Sequence, residues 1–146
     1  MKITLCALAL LVSLALAGPS SGAQPPIVAK ALAAGTMNAT LVHATKGAMV
    51  LDQITMAPGG SFGWHTHGSP VAVVVTGGTL TVFDPSVGNC VPFKVSKGQS
   101  FVEPANHIHL ARNETARPVT LYALYLGIPK NAGANVPAKQ PASCNA

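Results

Sequence analysis

Residues 60–78 read GSFGWHTHGSPVAVVVTGG and place two of the chain's five histidines one residue apart, just ahead of a valine run. Successive side chains of a β-strand point to opposite faces, so residues two apart point the same way. His65 and His67 are therefore expected to project side by side, with Thr66 on the opposite face. This arrangement presents two imidazoles to one metal ion, although an ordinary half-buried strand produces the same spacing by chance.

A second stretch, GQSFVEPANHIHLARN at residues 98–113, repeats the pattern with His107 and His109 in another predicted strand. Four of the five histidines thus fall into two strand-borne pairs. A single strand histidine is usually a surface residue or a hydrogen-bonded core residue. Two such pairs in one small domain favour a metal site, and imidazole clusters suit Fe, Mn, Cu, Zn or Ni.

The chain around these pairs divides into short β-like runs separated by turn residues. The predicted strands are MVLDQITMA, SFGWHTH, VAVVVT, TLTVF, VPFKV, SFVEP, HIHLARN and VTLYALYLGI. The continuous apolar run VAVVVT predicts a strand buried on both faces. Because no convincing amphipathic helix pattern is present, the series predicts an all-β sandwich or a small closed barrel that can hold a ligand near its mouth.

The N-terminal residues MKITLCALALLVSLALAGPSSGAQ have the features of an export signal over residues 1–23. Lys2 precedes an uncharged apolar core, and small residues suit cleavage after position 17 or 23. A membrane anchor is the alternative reading, but the apolar run is short for a bilayer span, which needs about 20 residues. The sequence therefore predicts a secreted or periplasmic protein without a stable membrane span.

Removal of the signal leaves roughly 120 to 130 residues, the usual size of one domain. A lead-in segment is predicted at residues 24–48, with one helical turn around 28–34. The barrel is predicted at 49–128, and an aperiodic tail at 129–146.

Cysteine usage agrees with export. Cys6 leaves with the signal, so Cys90 and Cys144 remain. Two cysteines in an exported protein suggest one disulfide, which would tie the tail to the loop DPSVGNC. The alternatives are that the two cysteines bind a soft metal ion or that both are free thiols. No CxxC spacing supports metal binding by these cysteines.

Charge excludes one class of partner. The chain has 9 Lys and Arg against 4 Asp and Glu. The basic residues are scattered, with no basic run and no interleaved aromatic platform, so nucleic-acid binding is not predicted.

Two spacing motifs cover both histidine pairs. The first has the pattern Gly-x5-His-x-His-x3–4-Glu-x6-Gly. Its positions in this sequence are Gly59, His65, His67 and Gly78. The second consists of a glycine, five residues, Pro-x-Gly, two residues, a histidine, three residues and an asparagine; its positions here are Gly98, Pro104, His109 and Asn113, with Asn106 in place of the second glycine. Asn tolerates positive φ better than most residues. With these motifs the chain resembles the cupin superfamily over about residues 49–126.

The resemblance implies a small antiparallel jelly-roll barrel with one divalent transition metal inside, bound by His65, His67 and His109. The glutamate of the first motif is missing, because Val71 stands at its position and Pro70 beside it cannot ligate either. Glu103 is the candidate to replace it, or to hold a ligating histidine. His107 is the rival, since it shares a face with His109 if that strand is regular.

Two functions follow as expectations. The first is an oxygenase-type metalloenzyme acting on a small organic substrate, with Glu103 and His107 as candidate catalytic residues for proton transfer. The alternative is a non-catalytic metal- or small-ligand-binding protein of the periplasm or secretome. The resemblance also allows a homodimer formed through a strand edge. His43 lies outside both motifs and is expected to have a structural or surface role.

Overall fold

The structure is a computed structural model that describes residues 26–36 and 47–146. The predicted signal, much of the lead-in segment and His43 lie outside the described residues. Every extended regular element in the described part of the chain is a β-strand. Within that part, no helix is long and apolar enough to cross a membrane.

The strands form two antiparallel sheets. Their bounds are β1 Ile27–Thr36, β2 Ala48–Met56, β3 Ser61–Thr66, β4 Val71–Gly77, β5 Thr79–Phe83, β6 Phe93–Ser96, β7 Ser100–Glu103, β8 His109–Arg112, β9 Val119–Ile128 and β10 Val136–Pro137. Over the described residues, the first sheet has the order β1-β2-β9-β4-β7 and the second has the order β10-β3-β8-β5-β6. The predicted all-β jelly-roll fold is therefore confirmed.

The core lies between the two sheets. Strand β9, in the middle of the first sheet, alternates along its whole length between buried and half-buried residues. Such alternation is expected of a strand with one face against a core. The inward residues of both sheets form one cluster: Ile54, Met56, Val71, Val73, Val75, Leu80, Val82, Val95, Ala111, Val119, Leu121, Ala123 and Tyr125. The barrel is thus filled largely by apolar side chains, and the polar site must form inside an apolar shell.

Two sequence-based expectations about the first sheet are wrong. Strand β4 is not buried on both faces, because Val73 is buried whereas Val74 is 43% exposed. A sheet covered on one side buries alternate residues, whatever the hydropathy of the outward ones. Residues 28–34 form no helical turn, since they belong to β1, which pairs antiparallel with β2. Ladder hydrogen bonds to the edge of the sheet satisfy that backbone and outweigh its weak local helical preference.

The tail is fastened to the second sheet. Cys90 and Cys144 form the predicted disulfide, next to Phe83 and Leu110 in a second apolar cluster. Strand β10 pairs with β3, and the N–H of Ala138 donates to the carbonyl of Trp64 at 2.9 Å. The tail therefore packs against the strand that carries the first histidine pair.

Candidate metal centre

Three histidines meet inside the barrel. His65 on β3 and His109 on β8 are direct cross-strand partners, so both side chains point to the same face of the sheet. His67 lies two residues beyond His65, just after β3 ends. All three side chains are buried, and one ring nitrogen from each lies within 4.8 Å of the other two. The strand alternation inferred from the sequence thus brings His65, His67 and His109 together.

A bulge in β3 orients the first of these imidazoles. The pairing of β3 with β8 shifts register between Ser61 and Trp64, and Gly63 in between has a φ of 69°. A φ in that range suits glycine, which has no Cβ to clash with the backbone. The Ser61 hydroxyl accepts the Gly63 N–H at 3.0 Å, and the Gly63 carbonyl accepts from Nδ1 of His65 at 2.9 Å. The bulge therefore aims a backbone carbonyl at the back of a candidate ligand.

The other two imidazoles are held in the same way. Nδ1 of His67 donates to the carbonyl of Ala134 at 2.7 Å, and Nδ1 of His109 donates to the carbonyl of His107 at 3.1 Å. A carbonyl oxygen can only accept a hydrogen bond, so the ring proton of each neutral imidazole resides on Nδ1. Each Nε2 then carries a lone pair, which is the state that a metal ligand requires.

Glu103 brings a carboxylate to this cluster from the other sheet. It is the direct cross-strand partner of Val71 in the β4–β7 pair, so both side chains point into the barrel. Its Oε2 lies 3.0 Å from Nε2 of His67, and its Oε1 lies 3.1 Å from Nε2 of His109. Glu103 is also buried. A carboxylate therefore reaches the histidine cluster from position 103, opposite position 71 on the neighbouring strand.

The electrostatics of the cluster favour positive charge between these groups, either a proton on an imidazole or a bound cation. Neutral Nε2 atoms and carboxylate oxygens are all acceptors, and the buried Nε2 of His109 has no hydrogen-bond partner. Acceptors that face each other at about 3 Å repel unless a proton or a cation lies between them. The donor set of three imidazoles and one carboxylate fits a divalent transition metal.

The pKa values show how strongly these groups interact. Burial lowers the pKa of His65 to about 4, which keeps this imidazole neutral at physiological pH. Burial alone would raise the pKa of Glu103, but its contacts with His109 and His67 outweigh burial and lower it to about 2. Burial alone would lower the pKa of His109, and the Glu103 carboxylate outweighs it, so this pKa is raised. Glu103 therefore remains negative and favours positive charge on His109.

A family model described as "Cupin domain" matches residues 53–125, which include His65, His67 and His109. The chain belongs to the cupin superfamily. No functionally curated protein matches the sequence significantly.

Solved structures agree on the fold of this cupin. A cupin domain from Bordetella pertussis superposes with a TM-score of 0.53 at 18% identity, covering 72% of this chain and 97% of that one. A conserved protein with a double-stranded β-helix domain from Klebsiella pneumoniae gives 0.54 at 19% identity, covering 83% and 90%. A cupin 2 conserved barrel domain protein from Leptotrichia buccalis gives 0.54 at 25% identity, covering 69% of this chain and 41% of that one. At 18% and 19% identity, the matches to the Bordetella and Klebsiella proteins show similarity of fold alone.

The remaining motif positions of this cupin have structural roles. Asn106 has a φ of 59°, as its replacement of glycine requires. Gly78 has a φ of 74°, and a Cβ there would lie 2.8 Å from the Pro118 carbonyl oxygen. Asn113 is fully buried; its Nδ2 donates to the carbonyls of Met56 and Arg117. These residues fix the turns and loops that connect the strands of the site.

His107 does not lie in the strand, so the expectation that it shares a face with His109 is wrong. Strand β8 begins at His109, because the chain makes a turn after β7 in which Asn106 donates its N–H to the carbonyl of His67 at 2.7 Å. The Nδ1 of His107 instead lies 3.2 Å from Oδ2 of Asp84, and its side chain is about one-third exposed. Over the described residues, His107 is not part of the metal-ligand group.

Two cavities adjoin the histidines. The inner cavity has a volume of about 30 Å³ and is lined by His65, His67, Glu103, Tyr125 and Asn135 among apolar residues. The second, called here the His107 pocket, has a volume of about 260 Å³ and is lined by His107, Asp84, Glu103 and His109 together with Val82, Ser86, Val87, Phe93, Phe101, Val102 and Pro104. Glu103 lines both cavities, so the candidate ligands lie between them.

Two contributors to the site were not predicted from the sequence. Ala134 acts through its backbone carbonyl, which no side-chain pattern reveals, and it lies in a tail without periodicity. Asp84 faces His107 from the loop after β5. As one of only four acidic residues in the chain, it carried a compositional signal but stood in no motif.

Proposed function

We propose that this cupin is an exported protein that binds one divalent transition metal through the Nε2 atoms of His65, His67 and His109, with Glu103 as the carboxylate ligand. The observation that carries the proposal is the convergence of three imidazoles, each anchored through Nδ1, on a buried carboxylate that lies about 3 Å from two of their Nε2 atoms. Fe, Mn, Cu, Zn and Ni all suit this donor set. The disulfide supports export, because such bonds persist in oxidising compartments.

The activity proposed for this site is an oxygenase-type reaction on a small organic molecule. A bound metal would supply Lewis acidity and open coordination positions for dioxygen or substrate. The protein itself holds the three imidazoles in one tautomer through backbone carbonyls and excludes water with an apolar shell. His107 lines the same pocket as Glu103, and its imidazole is the group there that would accept or return a substrate proton.

Non-catalytic binding of a metal or small ligand is the second candidate function. The composition of the chain favours it, because only 4 of its residues are Asp or Glu, which leaves few candidate acids and bases for catalysis. Substrate-dependent consumption of dioxygen by the metal-loaded protein distinguishes the two candidates. An enzyme consumes oxygen in the presence of its substrate, whereas a binding protein changes neither oxygen nor ligand.

Elemental analysis of the purified protein tests the metal site itself. We expect close to one first-row transition metal per chain in the wild type and a loss of that metal in His65→Ala. The matched control is His107→Ala, which removes an imidazole within the same region but outside the ligand group. A wild-type protein that holds no first-row metal after reconstitution would contradict the proposal.

A further inference from the structure

The C-terminal tail, residues 129–146, is attached to the barrel at two points. It follows β9, which ends at Ile128, and the disulfide joins Cys144 to Cys90 near its other end. Between these points β10 consists of Val136 and Pro137, and both residues are exposed. A strand with two ladder pairs and little buried apolar surface opens at low free energy. The disulfide therefore contributes much of the attachment of the tail.

The tail holds one of the three candidate ligands. The Ala134 carbonyl accepts from Nδ1 of His67 at 2.7 Å, across 67 residues of sequence. His65 and His109 are anchored differently, because the carbonyls that accept from their Nδ1 atoms lie two residues earlier in the same segment. Loss of the tail would therefore free the imidazole of His67 and leave the other two imidazoles in place.

The tail also closes the inner cavity. Asn135 lines this cavity beside His65, His67 and Glu103. Its Oδ1 is buried, and no group in the described part of the chain hydrogen-bonds to it. The groups around a metal site orient its ligands and govern its access to solvent. Opening of the tail would therefore affect the site in two ways, by removing the anchor of His67 and by admitting water to the inner cavity.

We propose that the Cys90–Cys144 disulfide controls the metal affinity of the site through the tail. With the bond formed, Ala134 is held against His67, and this imidazole keeps the orientation that binds metal. With both cysteines reduced, the tail opens and the affinity falls. The bond forms when the two thiols give up two protons and two electrons to a disulfide-bearing oxidant, which becomes a dithiol. The inference rests on the proposed function and adds its regulation, because the oxidised chain, after export, is the form that loads metal.

The zinc affinity of a variant without the disulfide tests the proposal. Cys90→Ala/Cys144→Ala removes both thiols, which could themselves bind metal. Loss of a group that orients a ligating histidine lowers metal affinity by roughly 10- to 100-fold, so Zn²⁺ should bind at least about tenfold more weakly than to oxidised wild type. Competition with a chromophoric chelator measures this difference. Lys139→Ala changes an exposed residue of the tail and should leave the affinity unchanged.

Proton NMR of the metal-free protein reports on the anchor itself. In oxidised wild type, the Nδ1–H proton of His67 should exchange slowly with water, because the Ala134 carbonyl accepts it. The double variant should lose this slowly exchanging signal. It should keep the corresponding signal of His65, whose acceptor, the Gly63 carbonyl, lies in the same strand.

Ala138→Pro controls for a folding defect, since it keeps the disulfide and removes the N–H that donates to the Trp64 carbonyl at 2.9 Å. It should also weaken Zn²⁺ binding, by less than the double variant does, and speed the exchange of the His67 proton. Unchanged affinity in both variants, or a His67 proton that stays protected in the double variant, overturns the proposal. Wild-type protein that holds no metal while its His67 proton responds contradicts the proposed function alone. Metal-loaded protein whose affinity does not depend on the disulfide contradicts this inference alone.

Discussion

Moving the carboxylate of the site from one strand to the next tests whether Glu103 replaces the glutamate missing at position 71. Val71 and Glu103 are direct cross-strand partners whose side chains enter the barrel from the same face of the first sheet. Glu103→Val removes the carboxylate, and the double variant Val71→Glu/Glu103→Val returns it on the neighbouring strand. The pair keeps the same two side chains, so the volume packed between the sheets is unchanged.

The size of the effect follows from the contacts of Glu103. Its two oxygens lie 3.0 and 3.1 Å from the Nε2 atoms of His67 and His109, so its loss removes the only negative charge in contact with the ligand nitrogens of the described site. Removal of a carboxylate that only hydrogen-bonds to ligating histidines lowers metal affinity by roughly 10- to 100-fold, which corresponds to about 1.4 to 2.8 kcal/mol. The loss of a direct ligand should be at least as large. Directly opposed residues have Cβ atoms about 5 Å apart, a distance that the two methylenes of a glutamate can largely span. We therefore expect the double variant to recover at least tenfold of the loss.

Competition with a chromophoric chelator for Zn²⁺ measures these affinities, and elemental analysis gives the stoichiometry. Asp52→Asn is the matched control, since Asp52 is a half-buried carboxylate on β2 of the same sheet that does not contact the histidines. Glu103→Val with unchanged stoichiometry and affinity would falsify the ligand role of Glu103. A double variant that folds but stays as weak as Glu103→Val would refute the argument that the two positions are geometrically equivalent.

Four further outcomes are expected. His65→Ala should abolish stoichiometric metal binding, and retention of metal in elemental analysis would argue against the three-histidine site. Cys90→Ser should lower the free energy of unfolding by about 4 kcal/mol on the chain-entropy model, measured with urea, because it opens a loop with a sequence separation of 54. Asn113→Ala should lower the free energy of unfolding by about 2 to 3 kcal/mol in the same assay, because it leaves the carbonyls of Met56 and Arg117 without the amide donor. A decrease below about 0.5 kcal/mol would contradict that role. In the metal-free protein, the pKa of Glu103 is lowered from 4.5 to about 2. The contribution of this carboxylate to stability is therefore complete above about pH 4.5 and is lost as the pH falls toward 2. The urea midpoint of unfolding, measured between pH 2 and 6, should show this loss in the wild type and not in Glu103→Gln.

Local patterns were sufficient to predict the strands β2 to β9 and the histidine cluster, but not β1 or β10. Alternation along a strand is a property of neighbouring residues, so the shared face of His65 and His67 could be inferred without any knowledge of the fold. The spacing motif then placed His109 in the same site, and the structure brings the three together. His107 was misplaced for a local reason, because the turn through Asn106 displaces it from the strand.

Contacts between distant segments were beyond local patterns. The carbonyl that orients His67 belongs to Ala134, 67 residues further along the chain. Any residue can supply a backbone carbonyl, so its identity leaves no trace in the sequence. What the sequence did offer was Cys144, whose disulfide to Cys90 fastens the same tail beside the barrel. The tail therefore orients His67 through its path, and not through its side chains.

The position of Glu103 explains how a site could keep its carboxylate although the spacing motif lacks its glutamate. A motif records residues along one strand, but a metal responds only to the donors that reach it. Cross-strand partners in an antiparallel pair share a face, so position 103 opposite position 71 offers an equivalent route into the barrel. Burying a carboxylate on the inward face of β7 is unfavourable unless a cation or hydrogen bonds offset the lost hydration. Glu103 is one of four acidic residues in the chain and the one that is buried beside two imidazoles. The burial of Glu103 therefore supports a cation at the site. This support is stronger than the evidence against a cation that comes from the missing glutamate of the motif.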